Sequence, residues 1–268
     1  MSWWGKVLGG AFGFAAGGPL GALLGAALGH SFDKGVNQSS LGWDEGSQER
    51  IQTSFFTATF SVMGHIAKAD GKVTRDEIKL AEEIIRQMNL NDEQAKAAKA
   101  LFGEGKADDF DLLSVVNQFR QECHRRVNLI RMFLEIQIGT ALADGELHPT
   151  EHHILQIISE NLGIGRFDFD RILAMVIAQR RFTADGFRQS SAGVPPTRDH
   201  LKEAYQALGV SPQVSDAEVK KAYRRLLSQH HPDKLVAKGL PEEMMKLANE
   251  KTHEIRAAYE LIMKARKD

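Results

Sequence analysis

Residues 220–234 read Lys220-Lys221-Ala222-Tyr223-Arg224-Arg225-Leu226-Leu227-Ser228-Gln229-His230-His231-Pro232-Asp233-Lys234, and they decide the fold of the C-terminal seventy residues. Just upstream, Ser215-x-x-Glu218 is a capping box, which opens a helix. On that helix Val219, Ala222, Tyr223, Leu226 and His230 fall in a narrow apolar arc, with Lys220, Lys221, Arg224 and Arg225 opposite. Pro232 cannot continue the helix and disfavours helical backbone just before it, so the helix ends near His230. Before it, Leu201, Tyr205 and Leu208 share one side of a short helix that stops at Gly209. Beyond it, Pro241-Glu242-Glu243 starts a third helix whose Ala248, Ile255, Tyr259 and Ile262 are spaced to pack back on the second. The result is an antiparallel helical hairpin joined by His231-Pro232-Asp233.

A helix-breaking turn accounts for Pro232 but not for the residues around it. Tyr205-x-x-Leu208-Gly209-Val210, Lys220 through Leu226 and His231-Pro232-Asp233-Lys234, in that order and placement, resemble the J domain of DnaJ-type co-chaperones. The resemblance implies that the loop reaches a DnaK-type ATPase and favours hydrolysis of ATP by that partner, the J protein hydrolysing nothing itself. It assigns partner binding to His231, Pro232 and Asp233, flanked by Lys220, Lys221, Arg224, Arg225 and Lys234. Charge agrees: residues 198–268 hold 14 Lys and Arg against 11 Asp and Glu, while 1–197 hold 20 against 24. Four cations on one helical face suit an acidic partner surface. The Gly/Phe-rich stretch, CxxC zinc module and client-binding sheet domain of full-length relatives are missing from the sequence.

The other end of the chain is apolar. From Val7 to Gly29 there is no charged residue, and Trp3, Trp4 and Lys6 precede the run. At ~1.5 Å per residue such a helix crosses the ~30 Å core of a bilayer. Gly9, Gly13, Gly17, Gly21, Gly25 and Gly29 recur at every fourth position. A stripe of small residues lets a second backbone approach closely, so the expected role is a self-associating membrane helix. A cleavable leader ending at Ala27-Leu28-Gly29 competes with this, although the apolar run exceeds the usual ~7–15 residues. A glycine-rich leader with no partner helix is the third reading. Charge leaves the orientation open, with Lys6 on one side and Lys34 and Arg50 on the other.

Between these ends the pattern is helical from Ser47 to Arg181. The spacing predicts a helix through Phe55, Phe56, Phe60, Met63 and Ile66, and another through Ile78, Ile85 and Met88. Further helices are expected near 92–102, 110–122, 125–143, 150–161 and 167–181. One segment recurs after 74 positions: Ala69-Asp70-Gly71 followed by Glu77, and Ala143-Asp144-Gly145 followed by Glu151. Helix-turn-helix punctuation explains both, with Thr74-x-x-Glu77 as a capping box and Pro149 at a helix start. A sharper alternative has Asp70, Glu77, Asp144 and Glu151 share a hard cation, although scattered carboxylates do not make a defined loop. The paired segments resemble the TerB-like helical domain of tellurite-resistance families, which implies an interaction or metal-associated module. His148, His152 and His153 lack a third ligand at zinc spacing. Cys123 and His124, being sequence neighbours on a helix, point apart.

Composition bounds the rest. A net charge of −1 excludes a nucleic-acid binder working by bulk charge, and a single Cys excludes an internal disulfide framework. No nucleophile–base pair or phosphate-cradling loop points to an enzyme, and no catalytic residue, metal or cofactor is expected. The chain reads as all-α: a short tail over 1–6, a transmembrane helix over 7–30 and a tether over 31–46. A TerB-like helical domain over 47–182, a linker over 183–198 and a J domain over 199–268 follow. This order resembles the membrane-anchored DnaJ-like co-chaperones of Gram-negative bacteria. It implies a homodimer in the inner membrane, with the J domain on the cytoplasmic side, where ATP is, and the N-terminal tail periplasmic. The competing functional reading is a membrane-bound interaction or metal-sensing protein whose helical block is the active part and whose J domain relays its state.

Overall fold

Caps and breaks in the sequence set the order of helices. A computed structural model describes residues 18–28, 45–69, 82, 85–86, 90–192 and 198–267, and all regular structure among them is helical. The first helices are α1 (Pro19–Leu28), α2 (Glu45–Ala67), α3 (Asp92–Gly105), α4 (Leu112–Glu122), α5 (Val127–Ala141), α6 (Pro149–Asn161) and α7 (Arg166–Ala192). The C-terminal part holds α8 (Arg198–Ala207), α9 (Asp216–His230), α10 (Pro232–Val236) and α11 (Met245–Ala265), the last entered through a 3-10 turn at Glu242–Met244. The helix expected through Ile78 and Met88 lies outside the described residues except at Glu82, Ile85 and Arg86. α7 runs to Ala192, well into the stretch 183–198 that the sequence presents as a linker.

Local chemistry accounts for the helix starts. Asn91 and Gln94 form a capping box at α3, each side chain accepting from the other's backbone N–H (2.9 and 3.0 Å). Asp111 accepts from the Ser114 N–H at the start of α4 (3.0 Å). Pro149 opens α6, where its missing donor costs nothing, and Glu151 accepts from the His148 N–H (3.0 Å).

α2 is buried on nearly every side, with Phe55, Phe56, Phe60, Met63 and Ile66 in the core. Phe55 meets Phe119 of α4 and Phe133 of α5 edge-on (centroids 5.9 and 6.3 Å), and Phe119 and Phe133 lie 4.4 Å apart. Buried hydroxyls do not spoil this helix where they bond back to it: the Ser61 hydroxyl donates to the Thr57 carbonyl (2.8 Å). α2 and α3 approach so closely that a Cβ on Gly64 would strike the Phe102 carbonyl, and one on Gly105 the Ser61 carbonyl.

Of the segment read as a membrane helix, the structure describes Gly18–Leu28. Its ten-residue helix α1 reaches about 15 Å at ~1.5 Å per residue, half a bilayer core. Among the described residues no helix is long and apolar enough to cross a membrane. Leu20 and Leu24 are buried against the helical block, and the Leu20 N–H donates to Gln118 Oε1 (2.9 Å).

The C-terminal part has its own core of Leu208, Val219, Leu226, Ile255, Ala258 and Ile262, joined by Met175, Ala178 and Phe182 of α7. Ala248 departs from expectation. With Leu235, Leu240 and Met244 it belongs to the core of the middle block, because the chain after α10 folds onto α2 rather than back on α9. Gly239 (φ 102°) makes this possible: it sits against Ile51, where a side chain would collide.

Candidate functional site

α9 begins as its sequence dictates. Ser215 and Glu218 cap each other, the Ser215 N–H donating to Glu218 Oε2 (2.9 Å) and the Glu218 N–H to Ser215 Oγ (3.3 Å). Val219, Ala222, Leu226 and His230 face inward, while Lys220, Lys221, Arg224 and Arg225 are exposed. Tyr223 is half-buried and stacks on Tyr259 of α11, centroids 4.1 Å apart and planes 12° from parallel, which locks the two long helices side by side. Arg266, just past α11, donates to the Tyr205 hydroxyl (2.7 Å), the Val214 carbonyl (2.8 Å) and the Pro212 carbonyl (3.1 Å), tying α8 and the α8–α9 turn to the hairpin.

At the end of α9 the backbone of His231 turns extended (φ −60°, ψ 122°) and Pro232 starts the five-residue α10. The triplet is therefore a sharp corner between two helices and not an open loop. Its polar members look outward: the His231 side chain is 49% exposed and that of Asp233 81%, with His231 Nδ1 and Asp233 Oδ2 4.0 Å apart. Lys234 Nζ donates back to Ser228 Oγ (2.8 Å), which folds its stem along α9. Partial burial, then the neighbouring guanidiniums of Arg171 and Arg131, lowers the pKa of Arg225. Arg171 of α7 is exposed and adds to the basic face of α9, whereas Arg131 of α5 is largely buried.

Behind this corner lies what the sequence did not reveal. His230 Nε2 faces the carboxylate of Glu135 on α5 (2.9 Å), and Arg131 Nε donates to the same carboxylate (2.8 Å). Lys251 Nζ of α11 stands 3.7 Å away. Burial alone would raise the pKa of Glu135, but His230, Lys251 and Arg131 outweigh it and hold the carboxyl below its ordinary range. The only hint in the sequence is a lone carboxylate in the apolar run Phe133-Leu134-Glu135-Ile136, with Arg131 one turn before it.

The remaining candidates separate. Gly21 and Gly25 lie on α1, Gly21 buried beside Leu20 and Leu24, while Gly9, Gly13, Gly17 and Gly29 fall outside the described residues. Asp70 and Glu77 fall outside them too. Asp144 accepts from the Glu146 N–H (3.1 Å) and stands 3.6 Å from His148 Nε2, and Glu151 accepts from the N–H of His148, the N-cap residue of α6. Among the described residues no group of three or more His, Cys, Asp or Glu converges on a point. Cys123 is buried, which pushes its thiol up to about 12, whereas His124 is exposed.

A capped basic helix, a His-Pro-Asp corner and a stacked third helix define a J-domain protein. The DnaJ domain family model matches residues 203–268, the tellurite resistance protein TerB model 56–174, and the co-chaperone DjlA transmembrane domain model 1–39. The co-chaperone protein DjlA of Photobacterium profundum is 45% identical over 97% of this chain and 98% of its own length. Those of Escherichia coli K12 and Vibrio cholerae are each 44% identical, over 98% of this chain and 97% and 98% of their own lengths. No solved structure matches. The chain belongs to the DjlA family of co-chaperones, and it is a J-domain co-chaperone with a TerB-like domain and an N-terminal membrane-anchor segment.

Proposed function

We propose that this co-chaperone recruits a DnaK-type chaperone through the corner His231-Pro232-Asp233 and the basic face Lys220, Lys221, Arg224 and Arg225, with Lys234 at its edge. Docking raises the rate at which the partner hydrolyses ATP, and this chain supplies contacts and no chemistry of its own. The observation that carries the reading is the placement of an exposed, charged corner at the end of an exposed cationic helix face, on a rigid stacked hairpin. Four cations steer an acidic surface towards the corner, and the corner then engages it at a fixed angle. The alternative of a metal-sensing protein is not favoured by the described carboxylates, Asp144 accepting from the Glu146 N–H and Glu151 from the His148 N–H.

The same reading places the chain in the inner membrane as a homodimer, the N-terminal tail periplasmic and the remainder cytoplasmic. Its support is the DjlA transmembrane match over 1–39 and the glycine stripe from Gly9 to Gly29. Insertion takes Leu20 and Leu24 off the helical block and into lipid. The test is steady-state ATP hydrolysis by a purified DnaK-type chaperone with and without the full chain in bilayer discs. Acceleration that saturates with added co-chaperone is expected, and an unchanged rate refutes the reading.

A further inference from the structure

Glu135 is a buried carboxylate that no helix cap or turn requires. Its side chain is 6% exposed, that of His230 3%, and those of Arg131 and Lys251 13% and 16%. The carboxylate spans three helices: Arg131 comes from its own α5, His230 from α9 and Lys251 from α11. Each ring nitrogen of His230 faces an acceptor, Nδ1 the Leu226 carbonyl (3.0 Å) and Nε2 the Glu135 carboxylate, so the ring cannot turn without losing a bond. His230 is the last residue of α9, and the next three residues are His231, Pro232 and Asp233.

The far side of the triplet is held as well. Leu235, two residues beyond Asp233, is buried in the core of the TerB-like domain with Leu240 and Met244. Gln94 of α3 donates to Glu243 Oε1 (2.7 Å). Corner residues are ordinarily the mobile part of a hairpin. Here the exposed tips of His231 and Asp233 rise from a segment clamped before and after by another domain.

We propose that Glu135 is a positioning residue for the partner-docking corner: through His230 it fixes the direction of His231 and Asp233, which makes the TerB-like domain part of the unit that stimulates the chaperone. This rests on the reading of His231-Pro232-Asp233 as the docking site. Loss of the carboxylate leaves three cationic or polar side chains buried without their common acceptor, and α9 relieves this by turning its end outward. The corner then meets the partner in the right orientation for only a fraction of the time, and apparent affinity falls by that fraction.

The experiment titrates the full chain against the ATPase of a DnaK-type chaperone, comparing wild type, Glu135→Gln and Glu135→Ala. Gln keeps the volume and an acceptor, so it disturbs stability less than Ala and reads positioning apart from folding. Gly64→Ala, in the α2–α3 contact, serves as a control for lost stability alone. The concentration for half-maximal stimulation is expected to rise about threefold in Glu135→Gln and about tenfold in Glu135→Ala, and not in Gly64→Ala. Amide hydrogen exchange over 231–240 is expected to quicken in both Glu135 variants and not in Gly64→Ala. If the two Glu135 curves overlie wild type, or shift no more than Gly64→Ala at equal Tm, the positioning role is overturned while docking stands. If wild type itself does not stimulate, the docking reading fails and the positioning role with it.

Discussion

His231 and Asp233 can be replaced without touching the core, because their side chains are exposed and His231, the N-cap residue of α10, makes no side-chain cap bond. His231→Gln is expected to leave helical content intact and to move unfolding free energy by no more than ~0.5 kcal/mol, the usual range for surface changes. Urea titration followed by circular dichroism checks it. Glu135 is the opposite case. Glu135→Ala is expected to cost ~3–5 kcal/mol, the range for breaking one side of a buried charge pair, read from the same titration at pH 7. The pH dependence follows from its depressed pKa. A carboxylate held low in the folded state stabilises it above its unfolded value of ~4.3, and that gain is lost as pH falls from there through the folded value. The stability gap between wild type and Glu135→Gln should therefore shrink below about pH 4. Glu254, whose pKa burial raises, acts in the other direction: its favourable share is present at low pH and is lost as pH rises through its folded value.

Single helices show how far the sequence carries the account. Gly64 and Gly105 let α2 and α3 touch backbone to backbone, so Gly64→Ala is expected to lower stability by ~1–3 kcal/mol, measurable as a fall in Tm. Charge reversal at Arg224 and Arg225 is expected to weaken stimulation of the partner by slowing association. Added salt should do the same to wild type, because exposed charges are screened over ~8 Å at physiological ionic strength. Salt titration of the stimulated ATPase, with and without the substitutions, checks both. The faces of α9 were legible because a capping box, an apolar arc and Pro232 are local signals, each complete within a turn or two. The seat of Ala248 was not: its spacing suits packing on α9, but Gly239 redirects the chain towards Ile51, nearly two hundred residues away. Likewise nothing local ties Glu135 to His230 across 95 positions, and only tertiary packing brings them together.

At the scale of the whole chain, three segments with separate chemistries meet: an apolar glycine-striped segment, a helical block built round α2, and a hairpin whose His231-Pro232-Asp233 corner rests on that block. For the first, Gly17→Leu with Gly21→Leu should leave the chain inserted, since both changes add apolarity, but mainly monomeric, because the added side chains hold the helices apart. Leu20→Ala, off the stripe, should leave pairing intact, and crosslinking in bilayers compares the three. For the chain as a co-chaperone, the most direct measurement is single-turnover hydrolysis of ATP preloaded on a DnaK-type chaperone. Wild type, reconstituted in bilayer discs, should accelerate the turnover, and His231→Gln at the same concentration and with the same melting curve should leave it at the basal rate. Equal acceleration by both chains, or by neither, would contradict the account.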